Sequence, residues 1–329
     1  MHMKSIRISA AAFALLLTAF TGYVALDTFV LPRTAQTGAG EANLSVFASE
    51  TSAPEAIPLW QSRTDAESQA QNDAQTETQT ETQTTASAAV SDSRSYSDSH
   101  IQITLTEYEE YDTAIYVADI QLDSAEYLKT AFANNSFGKN ITAKTTDIAA
   151  QNNAILAING DFYGTQERGI VIRNGVIYRD TPSSADVLCV CADGTMKTYS
   201  AGEKTAQEML DEGVWQAFSF GPALITDGQV AVDADDEVGR AMASNPRTAV
   251  GMISPLHYVF VVSDGRTQES AGLSLQQLAI FMQGLGVQTA YNLDGGGSST
   301  MVFQGALINN PSTSGRTRER SVSDIVYIG

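Results

Sequence analysis

Val287-Gln288-Thr289-Ala290-Tyr291-Asn292-Leu293-Asp294-Gly295-Gly296-Gly297-Ser298-Ser299-Thr300 carries two signals in succession. Val287 to Leu293 alternates and is rich in strand formers, so it reads as a short strand. Three consecutive glycines follow. They lose more backbone entropy on folding than any other tripeptide, and a compact domain keeps them where side chains would obstruct a close approach. Asn292 and Asp294 therefore fall at the carboxyl end of a strand, where ligand sites of α/β sheets tend to lie.

The neighbouring sequence supports that placement. Ser274 reads as the N-cap of a helix reaching about Leu285, with Leu275, Leu278, Ala279, Met282 and Leu285 at helical spacing and Gly286 as its stop. Upstream, Asn174-Gly175, Asp193-Gly194 and Asp227-Gly228 each separate two strand-like runs, which predicts antiparallel hairpins. Helices are expected over 124–133, 146–152 and 205–216, and buried strands over 248–253 and 257–263. The fold class that follows is α+β: a single domain with a large mixed, hairpin-rich β-sheet packed by helices.

That domain occupies 100–329. Before it, Lys4 and Arg7 precede an apolar stretch from Ile8 to about Leu31, long enough to span a bilayer, which takes about 20 residues. No small-residue cleavage pattern stands out behind it. Residues 1–31 thus read as an uncleaved anchor in preference to a removed signal sequence, with the remainder outside the cell in either case. Residues 32–99 are dominated by Ser, Thr, Ala, Gln and Glu, as in Gln75-Thr76-Glu77-Thr78-Gln79-Thr80-Glu81-Thr82-Gln83-Thr84, a composition expected to form a disordered stalk.

A net charge of −19 over 329 residues argues against a nucleic-acid partner, since a phosphate-backbone binder clusters Lys and Arg. Cys189 and Cys191 are the only cysteines and sit on one face of an expected strand, as small buried side chains or a strained local disulfide. Of three histidines, His2 and His100 lie outside the expected core, which disfavours a His-rich zinc site or a Ser-His-Asp triad.

Polar clusters at strand ends mark the chemistry. Asn159-Gly160-Asp161 follows one strand, Asn245-Pro246-Arg247-Thr248 enters another, and Ser263-Asp264-Gly265-Arg266 leaves a third towards Ser270. Three carboxylates (Asp161, Asp264, Asp294) and three arginines (Arg247, Arg266, Arg320) thus recur at strand ends in a chain poor in bases. Guanidinium forks match phosphate in two-point contact, and carboxylates serve an oxocarbenium-like centre, so a substrate with both sugar and phosphate would use both sets.

Asn159-Gly160-Asp161-Phe162-Tyr163, Ser219-Phe220-Gly221-Pro222, Pro246-Arg247-Thr248-Ala249-Val250-Gly251, Asp264-Gly265-Arg266, Ser270-Ala271-Gly272 and Asn292 to Met301 together resemble the phosphodiester glycosidase family. The matches run in that family's order over roughly 150–329. The resemblance implies cleavage of a sugar-1-phosphate diester at the anomeric C–O bond, on a cell-envelope polysaccharide or teichoic-acid-like polymer. It assigns Arg247, Arg266 and Arg320 to the phosphate, with an anion cradle from the amides of Gly295, Gly296, Gly297 and Ser298. Asp294 is the first choice for the carboxylate at the anomeric carbon and Asp161 the second, while Asp264 positions Arg266. Asn159 and Asn292 orient hydroxyls or carboxylates, and Thr248 and Ser270 complete the substrate-binding set. Many relatives have Gly where this chain has Asp161. No cofactor is called for, and the one metal considered is a divalent cation between Asp161 and Asp294. The alternative is a noncatalytic module that binds or assembles anionic envelope polysaccharide.

Overall fold

The computed structural model describes residues 2–37, 41–47, 93–233 and 244–329. The α+β class holds, with three larger antiparallel sheets around one principal core and two two-stranded ladders beside them. An eight-stranded sheet runs, in spatial order, through 229–230, 223–226, 289–292, 247–254, 257–263, 113–122, 101–110 and 93–97. A five-stranded sheet has the order 306–307, 301–303, 156–159, 324–328, 128–132, and another the order 196–199, 187–191, 214–218, 169–173, 176–181. Leu156, Leu188, Phe218, Val250, Phe260, Tyr291 and Met301, drawn from all three sheets, meet in one apolar cluster.

Turn chemistry explains the hairpins. Asn174-Gly175 and Asp227-Gly228 both have two positive φ values (51° and 72°, 50° and 73°), the geometry that matches the twist of two flanking strands. Asp193-Gly194 closes a longer loop in which Asp193 Oδ1 accepts the Thr195 amide at 2.9 Å. Cys189 and Cys191 are buried free thiols.

The helix Leu275–Gly284 starts as expected, with Ser274 and Gln277 forming a capping box. Thr145–Gln151 also matches. The expected helix over 205–216 stops at Asp211, because Gly213 (φ 81°) turns the chain into the strand Val214–Phe218. The expected helix over 124–133 is replaced by one 3-10 turn capped by Ser124 and the strand Leu128–Phe132, laddered against Asp324–Ile328. A partner almost two hundred residues away overrides the local propensity there.

At the N-terminus, His2–Phe29 is a helix whose Phe13, Leu15, Leu16 and Phe20 are exposed. Among the described residues no helix is long and apolar enough to cross a membrane, so the structure does not support the span expected in residues 1–31. Residues 48–92, most of the expected stalk, lie outside the described residues, but its two ends are ordered. Arg33–Thr37 pairs with Ser136–Lys139, and Ser93–Ser97 pairs with Ile101–Glu110. Between these, Asn43 Nδ2 donates to the Gly175 carbonyl at 3.2 Å, Val46 is buried, and Phe47 packs edge-on against Trp215 at 5.0 Å. The folded unit therefore includes segments ahead of residue 100. Burying side chains such as Val46 and Phe47 contributes about 1.5–3 kcal/mol each when complete. At about 2–4 °C per kcal/mol for a domain of this size, a chain shortened to 100–329 is expected to melt about 6 °C or more below one that retains 33–329, as scanning calorimetry would read.

Candidate active site

Asn159 is the last residue of the strand Leu156–Asn159 and is fully buried. Its Nδ2 donates to the Asp294 carbonyl at 2.6 Å, while its Oδ1 accepts from Thr248 Oγ1 at 2.9 Å and from the Thr300 amide at 3.2 Å. One side chain thus ties both ends of the glycine loop to the start of an interior strand of the eight-stranded sheet. Asn159 and Thr248, expected to contact substrate, instead hold the loop's shape.

The glycines are needed because neighbours crowd them. Gly296 has φ 61°, and a Cβ there would lie 3.2 Å from Arg266 Nη2; a Cβ on Gly297 would lie 2.7 Å from Thr313 Oγ1. The Gly296 amide donates to the Pro246 carbonyl at 2.8 Å, and the Ser298 amide to the Gly295 carbonyl at 3.2 Å. Those two amides are spent on carbonyls of the chain itself, so a cradle made from the whole run of amides is not what the geometry provides.

Asp294 emerges from this loop nearly buried, with Oδ2 2.8 Å from Arg320 Nη2. Arg320 also donates from Nε to Ser298 Oγ at 2.9 Å and lies 5.8 Å from the centre of the Phe162 ring. Burial pushes the Asp294 carboxyl up from its ordinary value, while the Arg320 charge and the Ser298 hydroxyl oppose that shift.

Around Asp294 opens a cleft of about 550 Å³. Arg247, Arg266 and Arg320 line it together with Gly295, Gly296 and Gly297. Arg247, the first residue of its strand, is anchored from Nε to the Leu273 carbonyl at 2.8 Å. Arg266 has φ 63° and directs Nε and Nη2 to Asn245 Oδ1 at 2.9 and 2.6 Å. Asn292 also lines the cleft, with Nδ2 donating to the Gly221 carbonyl at 2.9 Å. Phe220, Pro222 and Leu275 supply an apolar side, whereas Trp215 and Phe218 are core residues.

Two expected carboxylates are elsewhere. Asp161 is 1% exposed, pairs with Arg173 at 2.8 Å and accepts the Ser219 amide at 3.1 Å, so it does not line the cleft. Asp264 accepts from the Asn310 amide at 2.8 Å and from Asn309 Nδ2 at 3.1 Å, fixing the 309–310 turn; Asn245, not Asp264, holds Arg266. Asp264 and Ser270 line a separate cavity of about 560 Å³ with Glu107, Glu109 and Glu269. A cation shared by Asp161 and Asp294 does not fit this arrangement, since each carboxylate is paired with its own arginine.

The fold of this region matches known proteins. The family model described as phosphodiester glycosidase matches residues 152–329. The chain belongs to the phosphodiester glycosidase family. It is 29% identical over 198 residues to the SPbeta prophage-derived uncharacterized protein YomE of Bacillus subtilis (strain 168), covering 58% of this chain and 30% of that protein. It is 30% identical over 188 residues to N-acetylglucosamine-1-phosphodiester alpha-N-acetylglucosaminidase of Mus musculus, covering 52% of this chain and 36% of that one. The chain thus spans about a third of the length of these relatives. In structure it resembles the zebrafish N-acetylglucosamine-1-phosphodiester alpha-N-acetylglucosaminidase catalytic domain auto-inhibited by pro-peptide, with a TM-score of 0.55 at 21% identity, covering 72% of this chain and 87% of that one.

Arg173 and Asp324, both in the part of the chain that matches the family, were not singled out by the sequence. Both are about 1% exposed or less; Arg173 Nη2 lies 2.8 Å from Asp161 and 2.9 Å from Asp324, and its guanidinium stacks 4.3 Å over the Phe218 ring. The signal available was an arginine ending an otherwise apolar strand, Gly169-Ile170-Val171-Ile172-Arg173, just before a tight turn. This cluster lies beneath Gly160, whose carbonyl accepts the Asp294 amide at 3.3 Å and whose own amide donates to the Asp324 carbonyl at 2.9 Å. Arg173→Met would leave two carboxylates buried without their cation, and is expected to destabilise the domain by about 3–5 kcal/mol in urea titration. Burial and the neighbouring Asp161 carboxylate raise the Asp324 pKa, with Arg173 opposing them. The native state therefore holds a proton that the unfolded chain has already released. Stability from this group is largest at acid pH and falls as pH climbs from the ordinary aspartate range towards neutrality. Asp324→Asn is expected to flatten the Tm-versus-pH curve across that window.

Proposed function

We propose that the domain hydrolyses a sugar-1-phosphate diester at the anomeric C–O bond, releasing a free sugar and a phosphomonoester. The observation that carries this reading is the convergence of Arg247, Arg266 and Arg320 with Asp294 on one cleft, in a chain of net charge −19. Three guanidinium groups in an acidic protein favour a bound phosphate, and they offset the charge that develops as the phosphate oxygen departs. Such a leaving group is a weak base, so charge stabilisation matters more than proton donation. Asp294 supplies the negative charge for an oxocarbenium-like anomeric carbon. Membership of the phosphodiester glycosidase family supports the reading, as do animal relatives whose name describes a glycosidase acting on N-acetylglucosamine-1-phosphodiester.

The substrate class proposed is a phosphodiester-linked envelope glycan, teichoic-acid-like polymer included. Work outside the cytoplasm and attachment to a membrane belong to the same proposal, supported by Lys4 and Arg7 ahead of an apolar segment and by exposed Phe13, Leu15, Leu16 and Phe20. Fractionation of cells producing the full chain checks them; recovery in the cytosol would remove both.

Turnover assays on sugar-1-phosphate diesters, read as reducing sugar, test the activity itself. Asp294→Asn is expected to lower kcat by about 10²–10⁴-fold with little change in Tm. Arg266→Ala is expected to raise KM by about 10-fold or more, as loss of a charged hydrogen-bonding group would. Salt-sensitive binding of the polymer without products would instead identify a noncatalytic module. Activity that needs the ionised Asp294 carboxylate falls as pH drops through its raised pKa. Arg320→Gln removes the charge that opposes the shift, so the acid limb of the kcat profile is expected to move to higher pH.

A further inference from the structure

Hydrolysis of a glycosyl phosphate needs a water molecule that reaches the anomeric carbon and loses a proton. Asp294 is poorly placed for that task, because it is nearly buried and held by Arg320. Among the described residues, the carboxylates lining the cleft are Asp294 and Asp186.

Asp186 sits in the loop between the strands 176–181 and 187–191, lines the cleft and is only partly buried. Its backbone is fixed. The Tyr291 hydroxyl donates to the Asp186 carbonyl at 2.6 Å and accepts the Phe220 amide at 2.9 Å, so one buried phenol sets the position of two loops that border the cleft. These contacts use main-chain atoms of Asp186. The side chain makes no hydrogen bond or ion pair with another described residue, which leaves its carboxylate available to a ligand.

We propose that Asp186 is the general base that activates water in this cleft. The inference rests on the hydrolysis proposed above and adds a second carboxylate to it, in place of Asp161 and Asp264. The water oxygen forms a bond to the anomeric carbon while its proton passes to the Asp186 carboxylate. The anomeric C–O bond breaks, and its electron pair leaves on the phosphate oxygen beside Arg247, Arg266 and Arg320. Asp294 faces the positive charge of the ring, and Asp186 then returns its proton to solvent.

The test uses the full chain and a sugar-1-phosphate diester. Asp186→Ala is expected to lower kcat by about 10²–10⁴-fold, with Tm unchanged because the Tyr291 contact is to the backbone. Azide attacks without shedding a proton, so added sodium azide should restore turnover of Asp186→Ala and yield a glycosyl azide detectable by mass spectrometry. Asp186→Asn, of nearly the same shape, serves as the second variant and should be equally impaired. A wild-type kcat in Asp186→Ala, or a loss that azide does not relieve, would overturn the assignment of Asp186 while leaving the hydrolysis reading intact. A wild-type chain that cleaves no such diester removes both.

Discussion

The Asn159 side chain is the constraint on which the site depends. It is buried between two sheets and uses both ends of its amide: Nδ2 towards the Asp294 carbonyl, Oδ1 towards Thr248 Oγ1 and the Thr300 amide. Those partners belong to the start of the 247–254 strand and to the two ends of the glycine loop. An amide can serve all three because it donates and accepts within one rigid plane; a carboxylate could not donate to Asp294, and an amine could not accept from Thr248. In the buried interior each bond left unmade would cost about 1–3 kcal/mol, so the arrangement is held as a unit.

Beneath this strut lies charge that water does not reach. Arg173 between Asp161 and Asp324 forms a cluster with the aromatic face of Phe218 on one side. Buried ion clusters of this kind are weak contributors to net stability but costly to break, because removal of one member strands the others. Gly160 passes directly over Asp324: a Cβ there would lie 2.1 Å from Asp324 Oδ1. Buried charge, glycine and the Asp294 amide are thereby stacked in one column. The Asp294–Arg320 pair sits at the top of that column, where Arg320 remains partly exposed and Asp294 is nearly buried.

Much of the local structure was legible in the residues. The Ser274 cap, the Asn174-Gly175 and Asp227-Gly228 turns and the strand-end position of Asp294 follow from backbone preferences that act within a few residues, and each appears as read. The strand Leu128–Phe132 was not legible, because its apolar spacing also suits a helix and only the ladder to Asp324–Ile328 decides between them. Asp161 and Asp294 look alike as acids behind strands. One is enclosed by Arg173 and the other opens on a cleft, and that difference lies in residues far away in sequence.

By itself the sequence determined the α+β class, the glycine loop behind a strand, the family resemblance and the set of arginines and aspartates from which a site could be drawn. These are properties of short windows, where side-chain size, charge and turn geometry act directly. Only the tertiary structure decided which members of that set share a cleft: Arg247, Arg266, Arg320 and Asp294 do, with Asp186 added, whereas Asp161 and Asp264 do not. Burial and pairing fix the role of a charged group, and both are set by chain segments that meet only when three sheets close on one core.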